Sequence, residues 1–151
     1  MIIDLPLPDR AARQRVVTDL DANLLVEAGA GSGKTTALVR RMVALVRTGQ
    51  ATVEEIAAVT FTRKAAAELR ERFQSEIETE LRALRAAGSA RDQASTDAGD
   101  GDGERGPVGP MEVERLATAL SDIDRAFVGT IHSLCARLLR ERPLEVGLAP
   151  G

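Results

Sequence analysis

Apolar residues along this chain fall into short continuous runs and longer helical stripes, and the two alternate. Residues 9–20, DRAARQRVVTDL, have the pattern of a short helix, with Asp9 as its N-cap after Pro8. Residues 23–27, NLLVE, form a brief apolar run between turn signals, which predicts a buried strand. The stretch TALVRRMVALVR then places Leu38, Met42, Leu45 and Val46 on one helical face, and Gly49 suits its C-terminal stop. Thr52 and Glu55 have capping-box spacing for one helical turn. Residues 56–61, IAAVTF, predict a second buried strand. Residues 64–86 carry the longest helical pattern: Leu69, Phe73, Ile77, Leu81 and Leu84 line one face. Glu68–Arg72 and Glu78–Arg82 are spaced as i,i+4 pairs on the wet side.

From 88 to 110 the composition shifts to Gly, Asp, Ser and Pro, which reads as a flexible linker or surface insertion. Its DAGDGDGE stretch has the carboxylates of a calcium loop. Arg105, however, stands where an EF-hand needs its turn glycine, so the stretch reads as a solvated loop. A helix over 111–121, a short strand over 126–129 and a helix over 131–141 complete the chain, with no internal repeat. Strand, helix, strand, helix, strand, helix predicts an α/β fold. Its parallel sheet would contain residues 24–27, 56–61 and 126–129, with helices on the faces.

Composition narrows the chemistry. The 151 residues are 44% hydrophobic, which suits one domain with its own core rather than wholesale disorder. Phe61, Phe73 and Phe127 are the only aromatics, so a nucleic-acid site cannot rest on a row of stacking rings. A net charge of −3 excludes a whole-domain basic clamp; any DNA contact would be local, through a few donors and backbone amides. Lys34 and Lys64 are the only lysines, and both fall inside motifs. The single cysteine, Cys135, excludes an internal disulfide and a Cys-based zinc site, and is expected as a small buried hydrophobe. No apolar run reaches the ~18 residues of a membrane span. Residues 1–10 lack a basic-then-apolar signal, so a cytoplasmic location is expected.

The strongest motif is Ala28-Gly29-Ala30-Gly31-Ser32-Gly33-Lys34-Thr35, a P-loop with Ala28 in place of the first glycine. Small residues let backbone N–H groups curl around phosphate oxygens, and the following helix adds its positive end. Lys34 would reach the β- and γ-phosphates of ATP, and Thr35 would offer a hydroxyl to Mg²⁺, with Thr36 beside it. The plain alternative is a Gly-rich turn between strand and helix. The loop alone says only NTPase. A GTPase would need an NKxD segment, which is absent, and a small-molecule kinase has no need of TFTRKAAAE or TIHSLC.

Three segments in order carry a family resemblance: NLLVEAGAGSGKTTALV (23–39), AVTFTRKAAAELRER (58–72) and GTIHSLCARLLRERP (129–143). Together they resemble the UvrD/Rep-like superfamily-one DNA helicases. Glu27 ahead of the loop looks closest to the AddA/RecB-like branch. The second segment is similar to that family's motif Ia, TFTxKAAxE, with Arg72 also in place, and the third to its TxHSxC segment. The resemblance covers nearly everything outside 88–110. It implies a RecA-like P-loop fold, ATP with Mg²⁺, and 3′–5′ translocation on single-stranded DNA. A nuclease/helicase partner subunit is implied for the intact protein, and no membrane association.

By this resemblance Thr60, Phe61, Thr62 and Lys64 would touch the DNA strand after the second β-strand, and Thr130, His132 and Ser133 after the third. Read from composition alone, Phe61 ending an apolar strand is more often core than base platform, Lys64 could be an ordinary surface cation, and a lone His such as His132 is usually structural. The family also places a Gln upstream of the P-loop to read the adenine edge. Gln14 is the candidate, with Arg10 and Arg13 as alternatives at that spacing.

ATP hydrolysis needs one carboxylate for Mg²⁺ and another for the attacking water, at the end of an apolar strand. No apolar run here is followed by Asp-Glu, and Glu54-Glu55 precede their strand. The DExx-type motif, the arginine finger and the second motor domain that the resemblance implies are absent from these residues. The expectation is therefore a truncated N-terminal part, 1–151, of an ATP-dependent helicase, inactive alone. The alternative is a non-enzymatic fragment that binds nucleotide or single-stranded DNA weakly.

Overall fold

A computed structural model describes residues 10–29, 31–94 and 109–141, with the backbone alone at 90–94. Its elements run α1 (Arg10–Thr18), α2 (Lys34–Thr48), β1 (Ala57–Thr60), α3 (Arg63–Ala94), α4 (Pro110–Ser121), β2 (Phe127–Thr130) and α5 (Ile131–Glu141). Single 3₁₀ turns at Val53–Glu55 and Ile123–Arg125 lead into the two strands. β1 and β2 pair in parallel, and the register places Thr60 opposite Thr130. The architecture is α/β, as the alternation of runs and stripes predicts.

The core lies where α2, α3 and α4 meet beside the strands. Phe73, Ile77 and Leu116 are fully buried, packed with Val39, Met42, Val43, Val46, Leu69 and Leu81. The α3 face predicted from periodicity is the face that packs, with Leu84 partly buried at its edge. On α2 the buried stripe is rotated from the predicted one: Val39, Met42, Val43 and Val46 go inward while Leu38 is 43% exposed. The helix is apolar on more than one side, so spacing alone could not choose the face. Ion pairs tie α2 to α3 along the rim, Arg40 to Glu76 at 3.3 Å and Arg47 to Glu80. On α3 itself Glu78–Arg82 closes at 3.6 Å.

Local chemistry sets most of the element ends. Gly49 takes φ +78° and its N–H bonds the α2 carbonyl end, as a helix stop requires. Arg115 of α4 reaches the same end and donates to the Arg47 and Thr48 carbonyls at 3.3 and 3.1 Å. Thr52 and Glu55 form the expected capping box. Its two bonds, from the Thr52 amide and hydroxyl, hold the Glu55 carboxyl below the ordinary carboxylate range.

Three expectations need correction. Residues 24–27 are not a strand. Among the described residues no strand pairs with them, so their backbone groups have no ladder, and Leu25 is 89% exposed. Residues 88–94 are helical, because α3 continues past Gly88 to Ala94. One glycine costs a helix only ~1 kcal/mol against alanine, and the flanking Ala86, Ala87, Ala90 and Ala94 are strong helix formers. The rest of the expected linker, 95–108, lies outside the described residues, as does Asp9. Cys135 is exposed rather than buried, since no residue of α5 is buried. Among the described residues no helix is long and apolar enough to cross a membrane.

Candidate functional site

The Ser32 amide donates to the Gly29 carbonyl at 3.3 Å, and residues 31–33 turn into the start of α2. Gly31 and Gly33 adopt φ +73° and +85°, a region that side-chain-bearing residues avoid, and Gly33 is the N-cap of α2. No side chain caps this helix, and no acid stands in its first turn. The first amides of α2 therefore lack an intrahelical acceptor and present a positive end. The Ser32 hydroxyl is buried with no hydrogen-bond partner among the described residues. Lys34 folds back over the loop and donates from Nζ to the carbonyls of Ala28 at 2.5 Å and Gly29 at 2.7 Å. Thr35 and Thr36 are exposed on the first turn of α2. Ala30 lies outside the described residues.

A cavity of about 270 Å³ adjoins this loop. α1 supplies one wall through Ala12, Arg13, Arg15 and Val16; residues 24–28 and the start of α2 supply the others. Arg13 donates from Nη1 to the Ser32 carbonyl at 2.7 Å. The structure thus brings Arg13 against the loop. Gln14 is exposed, lines no part of the cavity, and offers its carbonyl to the Thr18 hydroxyl.

The second set of predicted residues lies where β1 and β2 end side by side. Thr62 caps α3: its hydroxyl oxygen accepts the Ala65 amide at 3.1 Å. Thr130 does the same for α5 with the Ser133 amide at 3.3 Å, and the Ser133 hydroxyl donates to the Thr130 carbonyl at 2.7 Å. Because Thr60 and Thr130 are in register, two capped helix N-termini emerge next to each other. The Thr60 hydroxyl donates to the Thr62 carbonyl at 3.0 Å, bracing the turn between β1 and α3. Space is tight at Gly129: a Cβ would come 2.7 Å from Ser133 Oγ and 2.9 Å from Phe127 Cζ, so these side chains would have to shift.

An open concavity of about 530 Å³ runs between α3 and the β2–α5 junction, lined by Arg63, Arg70, Thr130, His132 and Ser133 among others. Arg63 and Arg70 were not among the expected contact residues. Their signal was present: Arg63, Ala66, Ala67 and Arg70 follow i, i+3, i+4, i+7, one stripe of α3. Arg70 also pairs with Asp124 at 3.3 Å. Phe61 projects beyond the strand end at 93% exposure, which excludes the core reading for it. Lys64 is exposed and does not line the concavity.

The family described as UvrD/REP helicase N-terminal domain matches residues 9–150. The chain belongs to the UvrD/REP helicase family. Among its relatives is an ATP-dependent helicase/nuclease subunit of Ligilactobacillus salivarius, 31% identical over 92% of this chain and 9% of the relative. The protein of the same name in Desulforamulus reducens is 33% identical over 93% of this chain and 9% of its own length. Its counterpart in Desulforudis audaxviator is 36% identical over 86% and 9%. The chain thus spans about a tenth of the length of the curated relatives it matches. The family match takes in both the glycine loop and the paired helix N-termini, so both constellations lie in the part of the chain shared with the UvrD/REP helicases.

Proposed function

We propose that residues 1–151 are the nucleotide-binding front of a RecA-like DNA helicase motor. The loop at 28–35 takes the phosphates of ATP, and the paired N-termini of α3 and α5 take the backbone of single-stranded DNA. The observation that carries the nucleotide reading is the loop's unmet polarity. A buried Ser32 hydroxyl without a partner among the described residues sits beside a helix N-terminus that no described side chain caps and a lysine held by two loop carbonyls. A triphosphate supplies oxygens to all three, and bound Mg²⁺ would neutralise charge on its β- and γ-oxygens. Thr35, exposed on the first turn of α2, would offer that ion a hydroxyl. Ala28, Gly29, Gly31, Gly33 and Thr36 frame the phosphates, and the cavity beside Arg13 takes the nucleoside.

On the DNA side, Thr60, Thr62, Thr130 and Ser133 shape the two helix starts, and amides there suit phosphate oxygens. His132, Arg63 and Arg70 add donors in the concavity, Lys64 adds a nearby cation, and exposed Phe61 offers a face for one base. Translocation from 3′ to 5′, a cytoplasmic setting and a partner subunit belong to this reading through the family. The relatives' name, which makes each of them one subunit of a helicase/nuclease, supports a partnered DNA-processing machine.

Phosphate binding and hydrolysis draw on different halves of such a site. The 151 residues hold no strand-ending Asp-Glu for Mg²⁺ and water. Loss of an arginine finger alone is worth about 10³–10⁵ in rate in other P-loop enzymes. Residues 1–151 should therefore bind Mg²⁺–ATP and release phosphate only at background rate, with or without single-stranded DNA. Phosphate release and calorimetry on the same preparation test both halves. DNA-stimulated turnover of roughly 1 s⁻¹, a normal enzymatic rate, would show that a carboxylate within these residues acts catalytically. Absence of ATP binding would instead favour the non-enzymatic fragment.

A further inference from the structure

α1 forms a wall of the cavity beside the loop, yet none of its residues is buried. Apolar packing fixes that wall only in part, through half-buried Val16 and Val17. Besides the Arg13–Ser32 bond, one side chain of α2 ties it down. The Arg41 guanidinium donates from Nη1 to the carbonyls of Val16 and Asp19, both at 2.8 Å. From Nη2 it donates to those of Leu20 at 3.1 Å and Ala22 at 2.9 Å. These carbonyls lie at the C-terminal end of α1 and in the turn that follows, where a helix leaves acceptors unmet and favours a cation.

Val16 lines the cavity, and one turn earlier on the same helix Arg13 bonds the Ser32 carbonyl. Arg41 itself does not line the cavity, and it lies seven residues beyond Lys34 along α2, roughly 10 Å at 1.5 Å per residue. Its reach into the site runs through α1 and through the turn at 19–22 that leads into the 24–28 wall.

We propose that Arg41 is a positioning residue for the nucleoside end of the ligand: by clamping α1 to α2 it fixes the cavity wall and the Arg13–Ser32 contact. The phosphate end rests on the loop and the start of α2 and does not depend on the clamp. This inference rests on the loop being a nucleotide site, and two probes separate the two ideas. Mg²⁺–ATP reports on the whole ligand, and Mg²⁺–tripolyphosphate reports on the phosphate end alone.

Arg41→Ala should weaken ATP binding about tenfold, equivalent to one decade in Kd, while tripolyphosphate stays within about twofold. A variant that merely unfolds part of the population lowers both affinities together, so the split between probes isolates positioning. Arg41→Lys keeps a cation but has three donors on one atom instead of a planar fork. It should fold and fall between wild type and Arg41→Ala. Arg13→Ala breaks the same relay at its far end. The double variant Arg13→Ala/Arg41→Ala should be no weaker than the worse single variant, within about twofold, because the two act in series.

The proposal is overturned if tripolyphosphate affinity falls as far as ATP affinity, or if ATP affinity is unchanged in Arg41→Lys and Arg13→Ala. Additive effects in the double variant also overturn it. Should Arg41→Ala fail to fold, the Arg41→Lys and Arg13→Ala titrations decide the matter on the same criteria. If wild type binds no tripolyphosphate, the nucleotide reading itself falls and this inference with it.

Discussion

Replacing Lys34 with alanine removes the one cation built into the glycine loop. In the structure its ammonium already has work, donating to the carbonyls of Ala28 and Gly29 at 2.5 and 2.7 Å. Nucleotide binding exchanges those two neutral acceptors for phosphate oxygens. The net gain is therefore the difference between two sets of charge-assisted bonds rather than a full new ion pair. A hydrogen bond to a charged group is worth about 1.5–3 kcal/mol net. Taking one such bond as the surplus gives a loss of about 10- to 150-fold in ATP affinity for Lys34→Ala. The loop also loses its internal clasp, but both bonds are solvent-exposed, so stability should fall by no more than about 1 kcal/mol. Calorimetric titration of Mg²⁺–ATP into wild type and variant, with thermal melts of both, reads the two numbers separately. Equal affinities in two folded proteins would refute the assignment of Lys34 to phosphate. A melt shifted by several kcal/mol with little change in affinity would show that Lys34 serves the loop and not a ligand.

Other perturbations test the scaffold. Gly49→Ala puts a Cβ 2.7 Å from Arg115 Cζ at a residue with φ +78°, and should cost about 1–2 kcal/mol in urea unfolding; a neutral result would mean that the α2 stop and the Arg115 cap yield freely. Phe73→Ala empties the centre of the α2–α3–α4 core and should cost about 3–5 kcal/mol, a large part of a typical domain's stability; a loss under about 1 kcal/mol would deny that this cluster holds the fold. Glu55, whose folded-state pKa is lowered by the Thr52 amide and hydroxyl, contributes fully above the ordinary carboxylate value and loses that contribution as pH falls through its lowered one. Glu55→Gln should therefore be less stable than wild type at neutral pH and converge with it once pH falls below the lowered Glu55 pKa; a gap that persists in strong acid would contradict the charge-based cap.

Where a feature is decided by neighbours in sequence, it was legible. Gly49 after a helical stripe, Thr52 three residues before Glu55, and Leu69–Phe73–Ile77–Leu81 at i,i+4 each carry their own structural cause, and each stands as read. Residues 24–27 failed because a strand is made by its neighbour: apolarity supplies a reason to be buried, not a partner to be buried against. Gly88 failed for the opposite reason, since flanking alanines outweighed a lone breaker. At the candidate site the turn into α2 was legible, because glycines stand at 31 and 33 where the backbone takes positive φ. Arg13 was named only as an alternative to Gln14, and the shared α3 stripe of Arg63 and Arg70 was not used. Arg41 was harder to see: in a chain whose cations are nearly all arginine, nothing in the sequence separates one that clamps from one that faces solvent. Cys135 reads as apolar by type, but its exposure depends on what covers α5, which composition does not encode.

Crowding at Gly129 has an evolutionary consequence. The space a side chain would take there is already filled by the Phe127 ring and the Ser133 hydroxyl, and that ring also lies 5.6 Å beneath the Arg137 guanidinium. Positions 127, 129 and 133 therefore cannot drift independently. A methyl group at 129 requires both the Ser133 hydroxyl and the Phe127 ring to give way, and a smaller residue at 127 would strip Arg137 of its aromatic partner. In a saturation library of this segment, single changes at 129 should be depleted almost without exception. Survivors should carry accompanying changes at 127 and 133, so that the three positions are inherited as one unit.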